Sequence, residues 1–134
     1  VSYDFGPLAL TVTNYTFPDG DGTYSTGGFF EGDLEISAST EIGGLSLMGG
    51  YFPDLETLYI EAGFGLGAVD FAIGFGSDSA DAFYVGAGES AICNVSFSYS
   101  KEIKITDDYS LPLFSSFILN PKSEGAFIVI GASF

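Results

Sequence analysis

Apolar residues recur at every second position along almost the whole chain, and this period of two constrains the fold more than anything else in the sequence. Phe30, Gly32, Leu34, Ile36 and Ala38 alternate with Glu31, Asp33, Glu35, Ser37 and Ser39. The same pattern carries Leu45, Leu47 and Tyr51; Leu58, Ile60, Ala62 and Phe64; Val69, Phe71, Ile73 and Phe75; and Val95, Phe97 and Tyr99. Further strands are expected over Leu8 to Phe17, Leu111 to Asn120 and Ala126 to Phe134, with a stub at Val1 to Phe5. Asn14 interrupts the apolar face of its strand and is read as a bulge. No helical periodicity competes. The expectation is an all-β chain of about eight strands plus the stub, in a single domain over residues 1–134.

Alternation makes one face apolar without saying which face is inside. Composition decides between the two orientations. The chain has 18 acids against three basic residues, all lysine, for a net charge of −15, yet only 16% of its residues are charged and 46% are hydrophobic. That is too apolar for disorder and too poor in charge for an ordinary water-facing exterior, which takes about a quarter or more charged residues. The polar faces consist of Ser, Thr, Gly and acids with almost no Lys. Such a face suits a wet or filled interior better than the outside of a water-soluble barrel. Connections that alternate between short and mostly longer have the parity of outer-membrane barrels.

These observations predict an antiparallel up-and-down transmembrane β-barrel, either complete or part of a larger barrel that lacks upstream strands in this chain. Counting the stub gives nine strands, whereas single-chain bacterial barrels generally have an even number. Val1 in place of Met suggests a processed or trimmed chain from which a secretory leader has been removed. The lipid-facing candidates are Leu34, Ile36, Val69, Phe71, Ile73, Val95, Phe97, Ile128 and Ile130. The lumen-facing candidates are Glu31, Asp33, Glu35, Glu61, Asp70, Glu102 and Lys104. Acids on alternate positions of one strand repeat about every 7 Å, an anionic ladder that draws cations inward. The plainer reading of the same residues is a solvated face that keeps lipid out. The strand ending on Ile130 and Phe134 fits the terminal signal that the barrel-assembly machinery reads.

Several functions are set aside. Zero His and one cysteine, Cys93, remove Ser-His and Cys-His nucleophiles, intramolecular disulfides and Cys-based zinc sites. No metal or cofactor is expected. Three lysines cannot neutralise a nucleic-acid backbone. Eighteen acids guarantee carboxylate pairs at glycosidase spacing by chance, and no enzyme is predicted. Asp19-Gly20-Asp21-Gly22-Thr23 lacks the rest of an EF-hand and reads as an acidic turn. Asp78-Ser79-Ala80 matches a short bacterial O-glycosylation pattern at Ser79, and the sequons at Asn14 and Asn94 fall inside strands. Lys101, on an apolar face, is tolerable near a membrane interface.

The segments Ser100-Lys101-Glu102-Ile103-Lys104-Ile105-Thr106-Asp107, Ser110-Leu111-Pro112 and Asn120-Pro121-Lys122-Ser123-Glu124-Gly125, followed by the closing apolar strand, resemble the TorF-type porins of Gram-negative bacteria, especially Bacteroidetes. Tyr59-Ile60-Glu61-Ala62-Gly63 and Val12-Thr13-Asn14-Tyr15-Thr16-Phe17-Pro18 match the same family in order. The resemblance implies a bacterial outer-membrane barrel with lipid, the assembly machinery and small solutes as partners. Other chains or missing strands join these if the barrel is incomplete. The expected function is passage of small, preferably cationic, solutes. The alternatives are a closed small barrel with a structural, adhesion or assembly role, and a soluble ligand-binding β-barrel with its faces inverted.

Overall fold

The computed structural model describes residues 1–15, 32–79 and 82–132. Glu31, Phe134, the acidic turn 19–23 and Ala80 of the O-glycosylation pattern lie outside the described residues. The chain forms β1 (Ser2–Phe5), β2 (Leu8–Tyr15), β3 (Asp33–Ile42), β4 (Leu45–Phe52), β5 (Thr57–Leu66), β6 (Val69–Asp78), β7 (Ser90–Lys104), β8 (Ser110–Asn120) and β9 (Gly125–Ala132). All nine pair antiparallel in chain order in one sheet, and no helix occurs among the described residues.

The described residues make nine strands because the N-terminal stub is a full member of the sheet. Ser2 to Phe5 pair with Thr11 to Leu8 across the Gly6-Pro7 turn. The sheet is not closed into a barrel: among the described residues β1 pairs with β2 alone, and β9 with β8 alone. Topology explains the open seam. In an up-and-down sheet with an odd number of strands the first and last run in the same direction, so β1 against β9 would be a parallel pair in an otherwise antiparallel sheet.

Short connections hold the register at one end. The β3–β4 link is Gly43-Gly44, with φ of +60° and +82°, and a two-residue hairpin with positive φ at both central positions takes Gly readily. Hydrogen-bonded partners run in rows across the sheet. One row passes from Ile128 through Phe117, Phe97, Phe71, Phe64 and Leu45 to Ile42, which lies below Leu8, the last β2 residue paired with β3. This stagger is the kind that tilts strands in a curved sheet.

The bulge lies elsewhere than at Asn14, where β2 and β3 keep continuous register from Leu8↔Thr40 to Tyr15↔Asp33. It occurs in β7, where Gly74 pairs with Asn94 but Phe75 pairs with Ile92, leaving Cys93 as the extra residue. The bulge restores alternation after an odd spacing, so Ile92 and Val95 both stay on the apolar face while Asn94 stays on the polar one.

Cross-strand partners share a face, so the registers sort the side chains. One face is apolar from β1 to β9, and among its described residues Lys101 carries the one charge. The other holds the strand acids Asp4, Asp33, Glu35, Glu41, Glu61, Asp70, Asp78 and Glu102. Every buried residue among those described, Phe52, Thr57, Asp78, Cys93 and Gly50, Gly63, Gly74 and Gly76, is on the acid-bearing side. Apolar residues such as Ile36, Ile73, Phe97 and Ile128 are exposed, the last at 72%. That arrangement inverts the packing of a water-soluble protein.

Candidate functional site

The acid-bearing face is concave, since one cavity is walled jointly by Tyr59 of β5, Asn94 of β7, Ile118 of β8 and Phe127 of β9. Close approach on this face depends on small residues. A Cβ at Gly74 would overlap the Tyr59 phenol, and one at Gly50 would meet the Glu35 carboxylate. Glycine at these two positions lets long polar side chains of the neighbouring strands lie across the inner surface.

Three polar groups form a fixed cluster at the middle of that surface. Tyr59 Oη donates to Glu61 Oε2 at 2.5 Å, and Asn94 Nδ2 donates to Tyr59 Oη at 3.0 Å and to Glu61 Oε2 at 2.8 Å. Tyr59 and Glu61 are two apart on β5 and so share a face, and the β6 and β7 registers bring Asn94 opposite. Below the cluster, a cavity of about 380 Å³ is bordered by Glu41, Glu61 and Asp70 with Ser46, Ser96 and Ser98. Net negative charge with hydroxyl lining draws cations and offers them oxygen contacts.

Above the cluster the described part of the β6–β7 connection, from residue 82 on, folds over the inner face. Asp78 Oδ2 accepts the backbone N–H groups of Phe83, Tyr84, Val85 and Gly86 at 2.8–3.0 Å, and its Oδ1 accepts from Thr57 Oγ1 at 3.1 Å. Asp78 is 2% exposed and Thr57 fully buried. A buried carboxylate is costly unless its oxygens are hydrogen-bonded, and four backbone donors with one hydroxyl meet that need. The loop is thereby clasped, with Phe83 against Phe52 at 5.0 Å and Tyr84 against Tyr59 at 5.0 Å between ring centroids. Burial, reinforced by the nearby Glu35 carboxylate, pushes the Tyr84 hydroxyl up to about 12, so it stays protonated at neutral pH. A Lys122–Glu89 ion pair at 2.5 Å ties the β8–β9 turn to the same rim.

The described candidates from the alternation pattern separate by height. Asp33 and Glu35 stand at the upper end of β3, where Tyr15 Oη donates to Glu35 at 2.8 Å. Glu61 and Asp70 meet at the lower cavity. Glu102 and Lys104 share their face but lie near the β7–β8 turn, apart from that cavity, and Lys104 pairs with Asp107 at 2.8 Å. Leu34, Ile36, Val69, Phe71, Ile73, Val95, Phe97, Ile128 and Ile130 all occupy the opposite, apolar face. Asp78 of the O-glycosylation pattern is the buried loop clasp.

Sequence reasoning missed Glu41, Tyr59, Tyr84 and the roles of Asp78 and Asn94. Glu41 extends the Asp33–Glu35–Ser37–Ser39 alternation by one step and could have been found there, but it reads as part of the Gly43-Gly44 turn. The odd spacing from Ile92 to Val95 likewise signals the bulge. Asp78 gives no such signal, because its partners are backbone groups of a loop. No protein-family model, curated protein or solved structure matches this chain.

Proposed function

We propose that this chain forms wall strands of a bacterial outer-membrane β-barrel that passes small, preferably cationic, solutes along its acid-bearing face. The observation that carries this reading is the segregation of charge: the strand acids share the concave face that holds every buried residue among those described, while the opposite face exposes large apolar side chains and carries no charge but Lys101. Water-soluble monomers rarely expose a contiguous apolar patch beyond a few hundred Å². Lipid is the medium in which such a face costs nothing, and Lys101 near the end of β7 can snorkel to the interface. The resemblance of the C-terminal segments to TorF-type porins points the same way. A soluble ligand-binding barrel needs Phe71 and Ile73 inside, and their exposure of 38% and 48% favours the lipid orientation.

The open edges shape the proposal. Unpaired backbone groups are untenable in hydrocarbon, so β1 and β9 must meet further strands in the membrane. Antiparallel closure then takes an odd number of strands beyond these nine. Reconstitution of the full-length protein into planar bilayers tests the pore: cation-selective conductance is expected, and absence of any channel, or anion preference, overturns it. A structural or adhesion role is the second reading, favoured by the clasped loop that partly fills the interior.

A further inference from the structure

Among the cavities on the concave face, one lies above and one below the Tyr59–Glu61–Asn94 cluster. The lower is acidic, but the upper, about 340 Å³, is lined by the four rings of Tyr59, Phe83, Tyr84 and Phe127, by Cys93 and Ile118, and by the amides of Asn94 and Asn120. That volume is in the range that holds a small molecule. Three of the rings pack on one another, Tyr59 to Tyr84 at 5.0 Å and 33° and Phe83 edge-on to Tyr84 at 4.8 Å and 87°, so they form one continuous aromatic wall. No lysine lines it, and Lys122 at the nearby rim is paired with Glu89.

The electrostatics of this pocket favour positive charge. An aromatic face carries negative potential and attracts cations within about 6 Å of the ring centroid. Tyr59 directs its hydroxyl proton to Glu61 at 2.5 Å, which makes the phenol ring richer in electrons and sets a carboxylate directly behind it. Asn94 commits its amide donors to Tyr59 and Glu61, so that group holds the pair in place. A metal ion would find mostly carbon here, whereas an ammonium group wrapped in methyl or methylene groups matches apolar ring walls and negative potential together.

We propose that the upper cavity binds small organic cations bearing alkylammonium or quaternary ammonium groups against the Tyr84 and Phe127 rings, with the Tyr59–Glu61 pair behind them. This deepens the pore reading by naming a solute class, and it rests on the concave face being wet. The cation would be held above Glu61 and pass next to the cavity that Glu61, Asp70 and Glu41 border.

Choline and its uncharged isostere 3,3-dimethyl-1-butanol test the idea, titrated by calorimetry or ligand-observed NMR into the full chain in lipid nanodiscs. Choline is expected to bind saturably and at least tenfold more tightly, a difference of about 1.4 kcal/mol. Tyr84→Phe should keep that preference within about twofold, and both Tyr84→Leu and Phe127→Leu should weaken choline binding selectively. No saturable binding, equal affinity for the two compounds, or a preference unchanged in both leucine variants overturns the proposal. Conductance separates the two claims: choline preference without a channel sinks the pore alone, and a channel without choline preference sinks the cage alone.

Discussion

Asp78 holds the backbone of residues 83–86 with one buried carboxylate. Hydrogen bonds to a charged group contribute about 1.5–3 kcal/mol each where an unmet partner stays buried, but a released loop can reach water, so the net effect of removing the charge is smaller than the sum. Cys93 reports on this locally, being 7% exposed, with Gly76 and Tyr84 close beside it. Asp78→Asn is therefore expected to raise the rate of Cys93 modification by a maleimide at least tenfold, equivalent to about 1.4 kcal/mol of loop opening. Thr57→Val, which removes the single donor to the other oxygen, should raise it less. An unchanged rate in Asp78→Asn would show that the aromatic contacts of Phe83 and Tyr84 alone keep the loop down. At this scale little was legible beforehand: Asp78 read only as part of a modification motif, and its clasp role was hidden because its partners are main-chain groups whose positions exist only once the loop has folded back.

At the scale of the element, β6 presents both environments on adjacent residues. Ile73 sits in the row Leu47–Ala62–Ile73–Val95–Leu119, in the middle of the apolar face, and Ala72 points to the acid-bearing side beside Gly63 and Ser96. Arginine at a bilayer midplane on the lipid face costs about 2–4 kcal/mol, while an interior position tolerates it. Ile73→Arg should thus reduce folding into lipid vesicles, measured by protease protection, whereas Ala72→Arg should fold normally and weaken any cation preference. Equal tolerance of the two would remove the basis for placing lipid on the apolar side. The strand assignment itself followed from period-two alternation, and β3, β5 and β6 show it cleanly because their two faces differ in polarity at nearly every position. In β9 the pattern is weaker: Phe127 and Val129 are apolar on the inner face as well, which fits a strand whose neighbourhood includes the aromatic cavity.

For the whole molecule, the net charge of −15 acts as a field as well as a set of contacts. Fixed carboxylates around the lower cavity attract cations over a distance that shrinks from about 10 Å at 0.1 M salt to about 3 Å at 1 M. If a pore forms, its cation preference should fall steeply between those concentrations, read as the reversal potential across a salt gradient. Glu61→Gln should lower the preference measured at 0.1 M more than Glu102→Gln does, because Glu61 borders the cavity and Glu102 stands near the β7–β8 turn. The opposite ranking would place the selective region at the short-turn rim.

Alternation alone determined that the chain is all-β and that one face of its sheet is almost free of charge, because side chains in a strand must point to opposite sides with a period of two. It could not determine which face holds the buried residues, how many strands join, or whether the sheet closes. Those depend on long-range pairing: the full engagement of β1, the bulge at Cys93, and the shared direction of β1 and β9 that keeps them from completing an antiparallel seam. The concave placement of the acids, the aromatic cavity and the clasped loop were likewise decided by curvature and register. These bring Tyr59, Asn94 and Phe127 around one space from three separate strands, a juxtaposition that no local pattern contains.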